Sequence, residues 1–320
     1  MAEDDTPRSV KQQLRQEVGY ACPICGCPFL TFHHFDPTKD EMRKSNPGGK
    51  IYHNPNGMIA LCSTCHRSCD PRPPYQPNLS KSQMRKLKHK RWPLEQLKHK
   101  FPWEPEKPPL VRLAGNYAGN SKSRLTDVLS FGGRRHIWFS RTQEGMFLLS
   151  FILQSGDNQI VVRMDENTFE WNPDLMEDME INTGPNIVRV WFAKRDIGLE
   201  LAFHNITQLN LDTILTNDHV TMLNKVPKAL ERANVPLESI IEDMQKMRYE
   251  MNPVLQFVKQ WAVANCLDNE GNLAFFDFRR FKTSHKGNDF YINDGIGITG
   301  NFIGCGSFDN QGALFNIAIP

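Results

Sequence analysis

The stretch that decides the fold of the N-terminal region is ACPICGCPFLTFHHFD, residues 21–36. It places a Cys-x-x-Cys pair a few residues ahead of two adjacent histidines, His33 and His34, at the end of a short apolar run. Neighbouring side chains in a strand point to opposite faces of the sheet, so two adjacent imidazoles are not expected to share one structural role. The pattern therefore directs attention to chemistry at the end of this strand.

A second Cys-x-x-Cys pair occurs in CSTCHRSC, residues 62–69. Each pair can supply two corners of a tetrahedral zinc site, and two correctly spaced pairs in one region predict a single structural zinc ion. The predicted ligands are Cys22, Cys25, Cys62 and Cys65. Two further cysteines, Cys27 and Cys69, are interpreted as buried thiols, although either could replace a neighbouring ligand.

The order of the motifs is Cys-x-x-Cys, His-His, Asn, Cys-x-x-Cys-His. In this order the chain resembles the zinc-stapled form of the HNH endonuclease family, with its ββα-metal motif, over roughly residues 8–75. The resemblance implies that His33 binds a catalytic metal ion and that His34 is the general base. It also implies that His66, on the helix after the second pair, is a metal ligand. An imidazole titrates near neutral pH, which suits a general base.

The asparagine of the motif is matched best by Asn56, which would orient the base or brace the hairpin. Asn54 lies two residues away and competes for this role, because the spacing from Asn56 to Cys62 is one residue longer than the form we expect. His53 is an alternative metal ligand. Many family members carry an aspartate where this chain has His33, and two imidazoles favour Mn²⁺, Ni²⁺ or Zn²⁺, while Mg²⁺ remains an option.

The charge distribution is uneven along the chain. Residues 1–107 contain 18 Lys and Arg against 11 Asp and Glu, although the whole chain has a net charge of only +2. Residues 81–100 alone contain eight Lys and Arg and one Glu. Beside a nuclease motif, this run predicts a basic arm of two short helices, divided by Pro93, that contacts DNA phosphates without reading bases. The predicted phosphate-binding residues are Lys86, Lys88, Lys90, Arg91, Lys98 and Lys100.

The remainder of the chain has a different pattern. Short apolar or alternating runs such as HIWFS, MFLLSFIL and IVRVWFA are separated by Gly, Asn and Asp, which predicts a β-rich domain. Helical spacing appears near residues 226–264. We therefore predict an α+β protein with three parts: a zinc-stapled nuclease domain (residues 1–80), a basic helical arm and Pro-rich linker (residues 81–108), and a β-rich regulatory, targeting or partner-binding domain (residues 109–320).

Two functional hypotheses follow from these patterns. In the first, the protein is a metal-dependent DNA endonuclease, of the kind used in bacterial restriction or anti-phage defence, controlled by a regulatory protein or a small-molecule signal at its C-terminal domain. In the second, a non-catalytic zinc ribbon anchors a β-rich interaction domain to nucleic acid. The sequence shows no apolar stretch that could span a membrane and no apolar signal-peptide core, so we expect a cytoplasmic protein with no membrane partner. The sequence is compatible with either a monomer or a homo-oligomer.

Overall fold

The fold is described from a computed structural model of the chain. The described residues are 6–47, 51–69, 79–113, 116–119, 124–131, 134–182, 186–217, 256, 258–285, 288–292 and 316–317. They form a mixed α+β structure with two compact units. The first unit comprises Met1–Lys100 and Phe169–Asp196, and the second comprises Phe101–Thr168 and Ile197–Pro320. The predicted α+β class and the β-rich character of the larger part are confirmed.

The described residues up to Lys100 form four helices and three short strands. They are α1 (Arg8–Glu17), β1 (Leu30–His34), α2 (Lys39–Ser45), β2 (Met58–Cys62), α3 (Ser63–Ser68), α4 (Lys81–Leu87) and β3 (Lys98–Lys100). Short 3₁₀ helices occupy Pro55–Gly57 and Leu94–Gln96.

After β3, the described residues form thirteen further strands. They are β4 (Leu110–Leu113), β5 (Asn116–Ala118), β6 (Leu125–Phe131), β7 (Arg134–Arg141), β8 (Phe147–Gln154), β9 (Ile160–Asp165), β10 (Thr168–Trp171), β11 (Asp178–Asn182), β12 (Ile187–Ala193), β13 (Asp196–Thr207), β14 (Asn272–His285), β15 (Asn288–Ile292) and β16 (Asn316–Ile317).

Strand β2 is the centre of the first unit. All five of its residues are buried, because both of its faces are covered. Ile59 and Leu61 pack with Phe35 and the cysteine cluster on one face. On the other face, Met58 and Ala60 pack against the apolar side of α1, which includes Leu14 and Val18. The alternation of side chains along a strand explains this division.

Strands β1 and β2 form an antiparallel pair in which His33 lies opposite Ile59 and His34 lies opposite Met58. The chain closes this pair at Gly57, whose carbonyl accepts hydrogen bonds from the backbone N–H groups of Phe35 and Asp36. A Cβ atom at Gly57 would lie 1.8 Å from the Asp36 carbonyl oxygen, so a side chain cannot be accommodated here. The glycine therefore fixes the approach of the loop to the histidine end of β1.

Helix α1 is joined to β11 by a buried ion pair within the first unit. Arg15 donates from Nε to Asp178 Oδ1 at 3.0 Å and from Nη2 to Asp178 Oδ2 at 2.5 Å, and both side chains are buried. The Tyr20 hydroxyl and the Gln16 amide both donate to the Glu177 carbonyl. Segment 169–196 thus contributes directly to holding α1, although it is distant in sequence.

The predicted second helix of the basic arm is wrong. After α4 the chain forms the 3₁₀ helix Leu94–Gln96 and then β3, which pairs with β10. The Leu97 side chain is buried. The backbone carbonyl of Leu97 accepts a hydrogen bond from the Trp171 backbone N–H. Pairing with another strand therefore overrides the weak helical preference of the segment. Helix α4 ends at Leu87, six residues before Pro93, and the 3₁₀ helix begins directly after Pro93.

The second unit contains an antiparallel succession of β6, β7, β8 and β9, and a separate group in which β13 pairs with β14, and β14 runs parallel to β4. Its core includes a set of aromatic rings, such as Trp103 stacked on Phe203 at 5.2 Å. Helical residues 208–217 and 258–265 contribute Leu211, Leu215 and Trp261 to an apolar cluster that also contains Leu110 and Phe275. Two sequence regions lie outside the described residues. They are residues 226–255 of the predicted helical segment and the Gly-rich stretch 294–306.

Among the described residues, no helix is both long enough and apolar enough to cross a membrane.

Candidate metal centre and histidine site

The four predicted zinc ligands converge on one point. One sulfur atom from each of Cys22, Cys25, Cys62 and Cys65 lies within 4.8 Å of all the others. The Sγ atoms of Cys25 and Cys62 are 3.5 Å apart, and those of Cys25 and Cys65 are 3.6 Å apart. In a tetrahedral site with Zn–S bonds of about 2.3 Å, neighbouring sulfur atoms are separated by about 3.8 Å. The cluster therefore fits a structural Zn²⁺, as predicted.

Local backbone geometry prepares both Cys-x-x-Cys pairs. In the first pair, Gly26 adopts φ +77° and donates its N–H to the Cys22 carbonyl. This left-handed conformation turns the chain back toward the metal position and is favoured by glycine. In the second pair, β2 ends at Cys62, which is also the N-cap of α3, and its Sγ accepts from the Cys65 N–H.

A bound cation would stabilise the thiolate forms of the four clustered cysteines. Burial, together with the charge of Cys22, raises the pKa of the Cys25 thiol to about 12 and also raises the pKa of Cys65. Burial has the largest effect on Cys62 and raises its pKa, but hydrogen bonds from the Cys65 backbone and the neighbouring thiols outweigh it and lower the pKa overall. Four thiolates would repel one another in this setting, and a bound metal ion would stabilise all of them.

The two remaining cysteines of this region are close to the cluster but are not members of it. Burial raises the pKa of both the Cys27 and the Cys69 thiols. Cys69 packs in the apolar cluster around Phe35 and Ile59. Cys69 is therefore buried as interpreted, whereas Cys27 is only half-buried.

The two adjacent histidines take part in different imidazole pairs. The His33 and His66 rings meet edge to face with centroids 4.8 Å apart. His34 instead contacts His53, with its Nε2 atom 3.1 Å from the His53 Nδ1 atom. Both strand histidines are largely buried, with 8% of His33 and 5% of His34 exposed. The alternation along β1 thus separates the two histidines, as the sequence predicted.

Thr31 contacts one ring nitrogen of His66. Its hydroxyl donates to the Leu61 carbonyl at 3.0 Å and lies 2.9 Å from the His66 Nδ1 atom. With its hydroxyl proton directed to the Leu61 carbonyl, Thr31 accepts a hydrogen bond from the Nδ1–H form of His66. A neutral His66 then has its lone pair on Nε2, the form in which imidazole binds metals. Thr31 was not singled out from the sequence, although it lies two residues before His33 on the same face of β1.

The two candidate asparagines have local roles in the loop before β2. The Asn54 side chain caps the 3₁₀ helix and accepts from the Asn56 backbone N–H at 3.0 Å. Asn56 itself is exposed. The structure therefore does not bring the Asn56 side chain into a described contact with the histidines, and Asn54 is the asparagine that braces the loop.

The predicted phosphate-binding residues fall into three groups. Lys86, Lys98 and Lys100 are exposed, and Lys90 is exposed with its ammonium group 4.2 Å from the centre of the Trp92 ring. Arg91 is also exposed, but it donates to the Gln16 carbonyl at 2.9 Å and lies 3.6 Å from Asp174.

Lys88 differs from these residues because it is buried. Its ammonium group forms an ion pair with Glu17 and donates to the carbonyls of Pro55 at 2.5 Å and Met58 at 3.0 Å. All three donors of the lysine are thereby used inside the first unit. Its inclusion among the predicted phosphate contacts is not compatible with this position.

Comparison with known proteins found no matching family model, no similar curated protein and no similar solved structure. The HNH resemblance therefore depends on the residues of the motif and their arrangement.

Proposed function

We propose that the first unit is a metal-dependent endonuclease that hydrolyses phosphodiester bonds of DNA. The observation that carries the proposal is the pairing of His33 with His66 beside a four-cysteine cluster, while the adjacent His34 is held separately by another imidazole. A zinc ribbon that only binds nucleic acid has no need for this division between two neighbouring histidines.

In this proposal each histidine has one task. His33 and His66 would hold a divalent cation, and the Thr31 contact supports this role because it leaves the Nε2 lone pair of His66 for the metal. Such an ion would supply positive charge against the developing negative charge of the phosphate. His34 would accept the proton of the attacking water. Two imidazole ligands favour Mn²⁺, Ni²⁺ or Zn²⁺, and Mg²⁺ is also compatible because water and phosphate can complete its ligands.

The exposed lysines that follow α3 would provide affinity for the DNA backbone. Their side chains reach solvent, and contacts of this kind contribute binding that depends on salt but little on sequence. The proposed contacts are Lys86, Lys90, Lys98, Lys100 and Arg91. The second unit would then target or control cleavage, as expected of a restriction or anti-phage effector.

One observation favours the alternative, a non-catalytic zinc module that anchors a β-rich interaction domain. His33 and His34 are only 8% and 5% exposed, so little of either imidazole is accessible to an attacking water. Cleavage of supercoiled plasmid separates the two functions. The zinc-loaded full chain is incubated with Mn²⁺, Ni²⁺, Mg²⁺ or excess chelator. The nuclease hypothesis predicts plasmid nicking that requires an added divalent ion. The alternative hypothesis predicts plasmid binding without nicking under every condition.

A further inference from the structure

The segment that follows α4 is attached to the first unit on both sides of Lys90. Before it, Lys88 is buried, and its ammonium group forms an ion pair and donates to two backbone carbonyls. After it, the Arg91 guanidinium donates to the Gln16 carbonyl at 2.9 Å. The backbone that carries Lys90 is therefore held in place by its neighbours, while the Lys90 side chain is exposed.

The indole of Trp92 is a further anchor, and it also contacts the Lys90 side chain. Its Nε1–H donates to the Cys22 carbonyl at 2.9 Å, so the ring is attached to the first Cys-x-x-Cys pair. A Cβ atom on Gly26, directly after that pair, would lie 3.9 Å from the ring. The Lys90 ammonium group is 4.2 Å from the ring centre. This distance is within the range of about 6 Å in which an aromatic ring attracts a cation.

The contact with Trp92 leaves the hydrogen-bond donors of Lys90 unused. The Lys81 ammonium group, by contrast, donates to the carboxylates of Asp36 and Glu41. An indole attracts a cation through its π face, and its nitrogen is a donor rather than an acceptor. The three N–H donors of Lys90 thus remain available for an anion outside the protein.

We propose that Trp92 is a positioning residue that holds the Lys90 ammonium group ready to contact a phosphate of the DNA backbone. Fixing a lysine side chain costs conformational entropy. Because the Trp92 contact orders Lys90 before DNA binds, part of this cost is already met. The inference rests on the DNA-binding part of the proposed function and does not depend on cleavage.

Lys86 is the matched comparison for Lys90. It belongs to the same basic arm, is exposed, and has no ion pair or ring contact among the described residues. The two lysines carry the same charge, so each should contribute equally to the salt dependence of binding. Their contributions to affinity should differ, because only Lys90 is held in place by a ring.

Equilibrium binding of a fluorescent DNA duplex to the zinc-loaded full chain, without added divalent ion, tests the inference separately from cleavage. Lys90→Met and Lys86→Met are each measured in the wild-type, Trp92→Leu and Trp92→Phe chains at several salt concentrations. Trp92→Leu removes the ring, whereas Trp92→Phe keeps an aromatic ring beside Lys90. Zinc content and circular dichroism verify folding, and the comparison of the two lysines in the wild-type chain does not depend on the folding of Trp92→Leu.

We expect Lys90→Met to weaken DNA binding about 2- to 10-fold more than Lys86→Met, the usual effect of ordering one long side chain. Each substitution should lower the slope of log affinity against log salt by about 0.9. In the Trp92→Leu chain the two lysine substitutions should have equal effects. In the Trp92→Phe chain Lys90 should regain part of its larger contribution.

Equal losses for the two lysine variants in the wild-type chain would overturn the inference. A larger loss for Lys90→Met that persists in Trp92→Leu would also overturn it, as would an unchanged salt slope in Lys90→Met. If the predicted differences in binding occur but the chain cuts no DNA with any divalent ion, the positioning of Lys90 is supported and the nuclease is refuted. Metal-dependent cleavage with equal effects of the two lysines would support the nuclease and refute the positioning role of Trp92.

Discussion

Replacing Lys88 by methionine tests how the basic arm is attached to the first unit. The substitution keeps a long, flexible side chain but removes an ammonium group that bonds Glu17 and the carbonyls of Pro55 and Met58. The Lys88 side chain is 5% exposed and that of Glu17 is 15% exposed. Removing one partner of such a buried pair leaves a buried charge, which costs about 3–5 kcal/mol.

Hydrogen exchange of the backbone amides of β2 measures this loss within the first unit, whatever the second unit does. Since 1.4 kcal/mol corresponds to a factor of ten, exchange should accelerate roughly 150- to 4,000-fold. The matched control is Lys90→Met, which removes an exposed ammonium group near the Trp92 ring and should cost no more than about 1 kcal/mol.

A double variant sharpens the test. Lys88→Met combined with Glu17→Gln removes the unpaired carboxylate charge, so it should recover much of the lost protection. The reasoning is refuted if Lys88→Met leaves exchange in β2 unchanged and instead lowers the salt dependence of DNA binding. That result would place Lys88 at the DNA surface with the other lysines of the arm.

Three further predictions concern the zinc site, the arm and the boundary of the first unit. Cys65→Ser should remove the tightly held zinc ion and unfold the first unit, whereas His66→Ala should keep the zinc and the fold but lose cleavage. Metal analysis and circular dichroism measure zinc content and folding. A zinc-free protein with an unchanged melting transition would contradict the structural site. Neutralising exposed lysines should reduce the slope of log affinity against log salt by about 0.9 per lost contact on duplex DNA, and an unchanged slope would show that they form only a solvated surface. The lysines to be changed are Lys86, Lys90, Lys98 and Lys100. Asp178→Asn should destabilise the first unit by about 3–5 kcal/mol, because it leaves Arg15 buried without its carboxylate. Urea titrations that follow zinc release measure this loss. Wild-type stability in this variant, or in a fragment ending near residue 108, would show that segment 169–196 is dispensable.

The sequence predicted the elements whose determinants are local. The two Cys-x-x-Cys pairs identified all four members of the cluster, because the ligand spacing is a property of a few consecutive residues. The apolar runs identified the strands of the larger part for the same reason, as with MFLLSFIL and β8. The separation of His33 from His34 followed from the alternation of side chains along a strand.

The remaining features depend on residues that are far apart in the chain. Nothing near Lys88 distinguishes it from Lys86 or Lys90, and its burial depends on Glu17 in a distant helix. The contribution of Asp178 to holding α1 is equally remote from Arg15 in sequence. His53 was recognised only as an alternative metal ligand, since its contacts with His34 and Thr6 form only when the loop folds back on the hairpin.

Single-turnover cleavage of a DNA duplex by the zinc-loaded full chain tests the central claim most directly. The wild type is compared with His34→Ala and with His89→Ala, which removes an exposed imidazole outside the proposed site. The account predicts metal-dependent cleavage that falls about 10²- to 10⁴-fold in His34→Ala, the usual contribution of a general base, and stays near the wild-type rate in His89→Ala. Zinc content and DNA affinity should be the same in all three chains. Cleavage by His34→Ala at the wild-type rate, or no cleavage by the wild type with any divalent ion, would contradict the account.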